Sequence, residues 1–171
     1  MITAFTSDTH YGHANIIEYC NRPFENVQAM NAALIERYNE VVPPDGLCVW
    51  VGDCFFYNVE QARATLDQLN GFKVCVRGNH DGGVTRMYRI GFDLVLEELK
   101  IQIGDEVVRV VHNPAHSGKN EIVLHGHLHS PTPRDPQRGN RFIDIGVDAW
   151  GYRPATYDAV AKIVKRASHD G

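Results

Sequence analysis

The chain has 171 residues, 43% hydrophobic and 22% charged, the make-up of one ordinary globular domain with a single core. Its 17 basic and 21 acidic residues give a net charge of −4, which argues against the broad basic face of sequence-independent nucleic-acid binders. No apolar run nears the roughly 20 residues of a bilayer span, and Met1-Ile2-Thr3-Ala4-Phe5 lacks the features of a secretory signal, so a cytoplasmic location is expected.

In chain order, Ile2 to Thr6 reads as a first strand that runs straight into polar Ser7-Asp8-Thr9-His10. Met30, Leu34 and Tyr38 at helical spacing predict a helix over 27–41, broken by Pro43-Pro44-Asp45-Gly46. Leu47 to Val51 reads as a second strand ending in Gly52-Asp53-Cys54, and a helix over 59–69 comes next, with Asn70-Gly71 as its C-cap. Phe72 to Val76 is a third strand, ending in Arg77-Gly78-Asn79-His80-Asp81, and helix-like sequence leads on to Gly91. The second half is strand-rich: runs at 94–96, 100–103, 106–111 and 121–124, with a tight turn at Gly104-Asp105. A polar loop covers 130–140, Arg141 to Ile145 is a further strand, and Thr156 caps a last helix reaching about Lys165. Alternating strands and helices predict an α/β fold with βαβ crossovers: a layered α/β/β/α sandwich, or at least a mixed sheet flanked by helices.

The residues just past each strand carry the chemistry. The first strand delivers Asp8 and His10, the second Asp53, and the third Asn79 and His80; later strands deliver His112, then His127 and His129. In open α/β sheets ligands bind beyond the carboxyl ends of strands, so these residues are expected to converge. Any one of them alone has a plain structural reading, as a turn, a cap or a core histidine; the ordered set of five does not. The four cysteines, Cys20, Cys48, Cys54 and Cys75, fall at no metal-knuckle or redox spacing, and no disulfide framework is expected.

The ordered blocks Asp8-x-His10, Gly52-Asp53, Gly78-Asn79-His80-Asp81, a lone His112 and Gly126-His127-Leu128-His129 resemble the calcineurin-like metallophosphoesterase superfamily. They span about three quarters of the chain. The opening run from Ser7 to Ile17 is similar to a small subgroup of bacterial and phage phosphoesterases. The resemblance implies a single-domain, four-layer α/β/β/α sandwich holding two divalent metal ions. It places the first on Asp8, His10, Asp53 and His129, and the second on Asp53, Asn79, His112 and His127, with Asp53 as the bridge. Imidazole and oxygen donors without thiolate suit Mn above all, with Fe, Zn, Co or Ni as alternatives.

The implied reaction is hydrolysis of a phosphoester by direct attack of a metal-bound hydroxide, with His80 protonating the leaving oxygen. Asp81 either orients the His80 ring or caps a helix. His13, Asn15 and Arg77 are candidate substrate contacts, with a surface or capping role equally open for His13. Arg22, Arg134, Arg138 and Arg141 are further cations that a phosphate can meet, while His116, His125 and His169 are expected to be structural or incidental. The expected substrate is a small phosphoester or nucleotide-like diester, reached through an open site and without a membrane partner. A nuclease of the same superfamily and a catalytically silent binding scaffold are the competing readings.

Overall fold

The structure is a computed structural model that describes residues 1–118, 120–134 and 138–169. The side chains of His116 and His169 and residues 135–137 of the expected polar loop lie outside that set. In chain order the elements are β1 (Ala4–Thr6), α1 (Ile16–Tyr19), α2 (Val27–Val41), β2 (Leu47–Trp50), α3 (Val59–Leu66), β3 (Phe72–Val76), α4 (Val84–Ile90), β4 (Leu94–Leu96), β5 (Leu99–Ile103), β6 (Glu106–Val110), β7 (Ile122–His125), β8 (Phe142–Asp144), β9 (Ala155–Thr156) and α5 (Tyr157–His169). Single 3₁₀ turns lie at Pro114–His116 and Val147–Trp150.

Local chemistry accounts for the helix ends. Asn26 accepts a hydrogen bond from the Ala29 amide at the start of α2, whose Met30, Leu34 and Tyr38 are buried in one stripe. Asn58 and Gln61 form a reciprocal capping box on α3. That helix stops at Leu66, short of the Asn70-Gly71 pair expected to cap it. Asn70 instead ties the α2–β2 turn, donating from its side chain to the Val42 carbonyl. The Thr156 hydroxyl accepts from the Ala159 amide, the cap expected for the last helix.

The strands form two mixed, mostly parallel sheets. The first has the order β4-β3-β2-β1-β9, all parallel except β9; the second has the order β5-β6-β7-β8, antiparallel only between β5 and β6. Strands β1 to β3 are apolar on both faces because both are covered. Ala4, Cys48, Trp50 and Cys75 pack with Leu34, Ala62 and Met87 of the helices. Alternate residues Phe5, Val49 and Val76 pack on Val108, Leu124 and Ile143 of the second sheet, and α5 joins that cluster through Val160, Val164 and Ala167. Helix, sheet and sheet are thus stacked, while the outer face of the second sheet leaves Val107 62% exposed beside Lys100 and Gln102.

The topology aligns the functional ends. With β1, β2 and β3 parallel in one sheet, and β6 and β7 parallel in the other, each group of carboxyl ends emerges on one side. A parallel bridge between Ser7 and Gly146, reinforced by the Val147 amide on the Ser7 carbonyl at 3.0 Å, stitches the two sheets together directly beside Asp8. No helix among the described residues is long and apolar enough to cross a membrane.

Candidate metal centre

Three of the strands leading to the site, β1, β2 and β7, end in a sharp change of direction. Asp8 (φ 55°), His10 (φ 50°), Asp53 (φ 54°), His127 (φ 73°) and His129 (φ 50°) all occupy the left-handed region. Asn21 and Tyr152 are the only other non-glycine residues there among those described. Side chains at positive φ cost about 1 kcal/mol or more each and persist where surrounding structure over-determines them. Here the left-handed turns swing carboxylates and imidazoles off the strand axes into one space. Glycine makes the approach possible: a Cβ on Gly126 would collide with the Ser7 hydroxyl and the Asp8 carboxylate, and one on Gly78 with the Asp53 carboxylate.

Two clusters result. In the first, Asp8, His10 and His129 bring one ligand atom each to within 4.8 Å of one another; in the second, Asp53, His112 and His127 do the same. Asp53 lies between them, its Oδ2 3.9 Å from His10 Nε2 and 3.3 Å from His112 Nε2. The Asn79 side-chain oxygen completes the second cluster, 3.0 Å from both His112 Nε2 and His127 Nδ1. The backbone holds the carboxylates in place: the His127 amide donates to Asp8, and the His80 amide donates to Asp53 Oδ1 at 2.9 Å.

These residues fit a bound cation on an observation independent of their identity. His10 is 3% exposed, yet neither ring nitrogen has a hydrogen-bond partner, an expensive arrangement unless a ligand takes the lone pair. His112 Nδ1 lies 2.8 Å from the Val51 carbonyl, a donor contact that directs Nε2 into the centre. The electrostatics agree. Burial lifts the Asp8 carboxyl to about 6 against the pull of His129 and His112. Burial, seconded by His129, pushes His10 down to about 3, leaving a neutral imidazole. Burial opposes charge on Asp53 and on His112, but their mutual hydrogen bond and attraction hold Asp53 near 2 and raise His112 to about 9. Buried carboxylates draw positive charge to this centre, and the raised imidazoles supply it where no metal ion does.

Around the ligands the structure rearranges several expected roles. His80 is in place beside the centre, its side chain 51% exposed and its Nε2 3.9 Å from Asp53 Oδ2. Asp81 neither orients that ring nor caps α4, whose N-cap is Gly83. It is fully buried, and its two oxygens accept from the amides of Asp53, Cys54 and Gly78 at 2.8–2.9 Å, because the turns carrying Asp53 and Asn79 leave three N–H groups unsatisfied. Asp81 therefore braces the two ligand loops against each other. His13 reaches the mouth of the site, its Nδ1 accepting from the Ile16 amide at 3.0 Å, so capping and site-lining coexist in one residue.

The other cations are spoken for. Asn15 is exposed and makes no side-chain cap bond on α1, which has only four residues. Arg77 forms a two-pronged pair with Glu97 and donates to the Gly82 carbonyl. Arg134 meets Asn140, Arg138 lies over the Phe142 ring, and Arg141 donates to the Asn120 carbonyl, all away from the ligands. Arg22 is 4% exposed and clamped on Asp148 at 2.8 Å by two nitrogens, with further bonds to the carbonyls of Asp8 and Thr9. Its burial excludes a role in gripping solvent-borne phosphate.

That clamp brings in a residue absent from the expected set. Asp148 Oδ2 sits 2.8 Å from His129 Nδ1, leaving Nε2 to face Asp8. Burial opposes protonation of His129, but the Asp148 hydrogen bond, then the neighbouring Cys20 thiol, carry it up to about 10. Arg22, Asp148 and His129 form a line of charge that fixes the ring's orientation. Nothing in Gly146-Val147-Asp148-Ala149-Trp150 marks the aspartate, since its partners are 126 residues upstream and 19 residues back along the chain.

No family model matches the chain. It is 33% identical over 170 residues to the uncharacterized protein MJ1445 of Methanocaldococcus jannaschii, a match covering 94% of this chain and 89% of that protein. The chain belongs to the family of MJ1445. It is also similar to the Gene 66 protein of Mycobacterium phage L5, 28% identical over 198 residues, covering 94% of this chain and 95% of the phage protein. Among solved structures, the protein of unknown function AQ665 from Aquifex aeolicus shares the fold at a TM-score of 0.73 and 20% identity, over 94% of this chain and 97% of that one.

Proposed function

We propose that this protein is a dinuclear metal-dependent phosphoesterase, a single domain of the calcineurin-like four-layer type, acting on phosphodiesters of small or nucleotide-like substrates. The observation that carries the reading is the pairing of two His/carboxylate clusters across Asp53, with His10 of the first cluster buried and without a hydrogen-bond partner. The first cation would be held by Asp8, His10, Asp53 and His129, the second by Asp53, Asn79, His112 and His127, with Mn the metal of choice. Two divalent cations there would polarise the phosphoryl oxygens and lower the pKa of water at the site.

The chain's own residues do the rest. Asp53 Oδ2 faces both clusters, while the His80 amide holds Oδ1 and keeps the carboxylate from turning. His80 Nε2, exposed at the rim, donates a proton to the departing ester oxygen and regains one from solvent. Asp81 keeps the Asp53 and Asn79 loops at fixed separation, so that His80 and the reacting phosphorus stay in register. All seven ligand positions are retained in the chain, which speaks against a silent scaffold. The net charge of −4 speaks against a nuclease, and a cytoplasmic protein with no membrane partner is the setting we infer.

The test is a Mn titration of metal-stripped protein against a bis(aryl) phosphate, an aryl phosphate, cyclic nucleotides and short oligonucleotides. Turnover that saturates near two cations per chain and vanishes with chelator is expected. Absence of hydrolysis across that panel would overturn the proposal.

A further inference from the structure

The cleft has about 330 Å³ of space and two unlike kinds of lining, imidazoles from His10, His80, His127 and His129 and large apolar side chains from Ile16, Tyr19 and Phe56. Phe56 is the pivot. Its ring centroid lies 4.0 Å from that of His13, 5.1 Å from His80 and 5.2 Å from His10, and the ring still stays 38% exposed. Tyr19 on α1, 72% exposed, extends the surface on the far side of His13, with centroids 6.1 Å apart. Large apolar side chains left in water beside a polar centre mark a surface that something covers.

The cleft also lacks what a highly charged substrate needs. None of the described residues lining it is Lys or Arg. The nearby guanidiniums are committed, Arg22 to Asp148 and Arg77 to Glu97. A dianionic monoester or an oligophosphate would find only the cations of the metal centre, whereas a monoanionic diester places its single charge there and its organic group on the rings. His80, the proposed acid, touches Phe56, so the group on the rings is the one that leaves.

Resting on the phosphoesterase reading, we propose that Phe56 and Tyr19, with His13 wedged against Phe56, form a stacking platform that selects phosphodiesters whose leaving group is a flat aromatic ring. The platform binds by ring-face contact, which rewards planarity beyond apolar area alone. Phe56 and Tyr19 are specificity-determining residues; neither supplies a ligand or a proton.

Two measurements test this on the full, Mn-loaded chain. The first is calorimetric binding of diphenylphosphinate and dicyclohexylphosphinate, which carry equal charge, similar bulk and no ester bond to cut. Wild type is expected to bind the flat ligand about tenfold more tightly, from a stacking gain near 1.4 kcal/mol. Phe56→Leu, which keeps the bulk, and Tyr19→Ala should erase most of that ratio, with the flat ligand losing far more affinity than the saturated one. The second is hydrolysis of methyl phenyl phosphate and methyl hexafluoroisopropyl phosphate, whose leaving alcohols are of similar acidity. Phe56→Leu is expected to raise KM for the phenyl ester about tenfold more than for the other ester.

Equal binding of the two phosphinates by wild type, or a Phe56→Leu defect equal on both esters, would overturn the platform and leave the phosphoesterase reading standing. Hydrolysis of neither ester by wild type would overturn both.

Discussion

The two ligand clusters meet at Asp53 yet treat their polar atoms in opposite ways. In the first, Asp8 is fully buried and both nitrogens of His10 lack a partner. In the second, the Asn79 oxygen stands 3.0 Å from two imidazoles, and Asn79 itself is open to solvent. Without a cation the second cluster closes on itself or on water; in the first, the His10 ring has no substitute partner and its desolvation goes uncompensated. The first is also braced from behind by Arg22 and Asp148, whereas the second leans on a backbone carbonyl through His112. A braced site with an unsatisfied imidazole is expected to hold a cation more tightly than a self-satisfied one with a donor open to solvent. We expect stepwise loading, with the Asp8–His10–His129 position filled first and emptied last.

The largest effect should come from the residue common to both. Asp53→Ala is expected to abolish detectable turnover and to drop metal content at both positions, read by elemental analysis of desalted protein. Retention of one full equivalent would show that the clusters are independent and that Asp53 is no bridge. His80→Ala should keep both cations and lose about 10²–10⁴-fold in turnover of a diester with a poor leaving group. Its rate with an activated aryl leaving group should fall much less, and a uniform loss would remove His80 from the acid role.

Smaller effects tell the clusters apart. Asp148→Asn should weaken the tighter cation about 10–100-fold in a chelator competition and spare the weaker one. Asn79→Ala should do the reverse, by about tenfold, because only the second cluster uses that oxygen. If both variants release the same cation, the ordering of the sites is wrong. Arg141→Ala, on a side chain that donates to the Asn120 carbonyl and does not line the cleft over the two clusters, should leave metal content and turnover within about twofold of wild type.

Much of this centre is legible in the sequence because each candidate donor follows a strand within a few residues, and strands announce themselves by apolar runs. Asp8, Asp53, Asn79, His112 and His127 stand out in that way, and Thr156 caps the last helix as its position suggests. Elements without a pattern stay hidden. α1 has four residues and β9 has two, too few for any periodicity, and β9 forms only because β1 offers it a free edge. Asp81 misleads because a loop aspartate next to a histidine suggests an orienting partner in the local sequence. The backbone N–H groups that claim its oxygens belong in part to Asp53 and Cys54, 28 and 27 residues away.

The order of elements, the donor types and the strand ends that bear them are written in local sequence, since apolar periodicity and the residue after each strand are local properties. How those donors divide is settled by packing. Five left-handed residues turn them off their strands, Asp53 comes to stand between two clusters, and Asp148 and Arg22 reach across the sheets to fix His129. Those outcomes depend on through-space desolvation and hydrogen-bond geometry, which no stretch of chain encodes until its distant partners are packed against it.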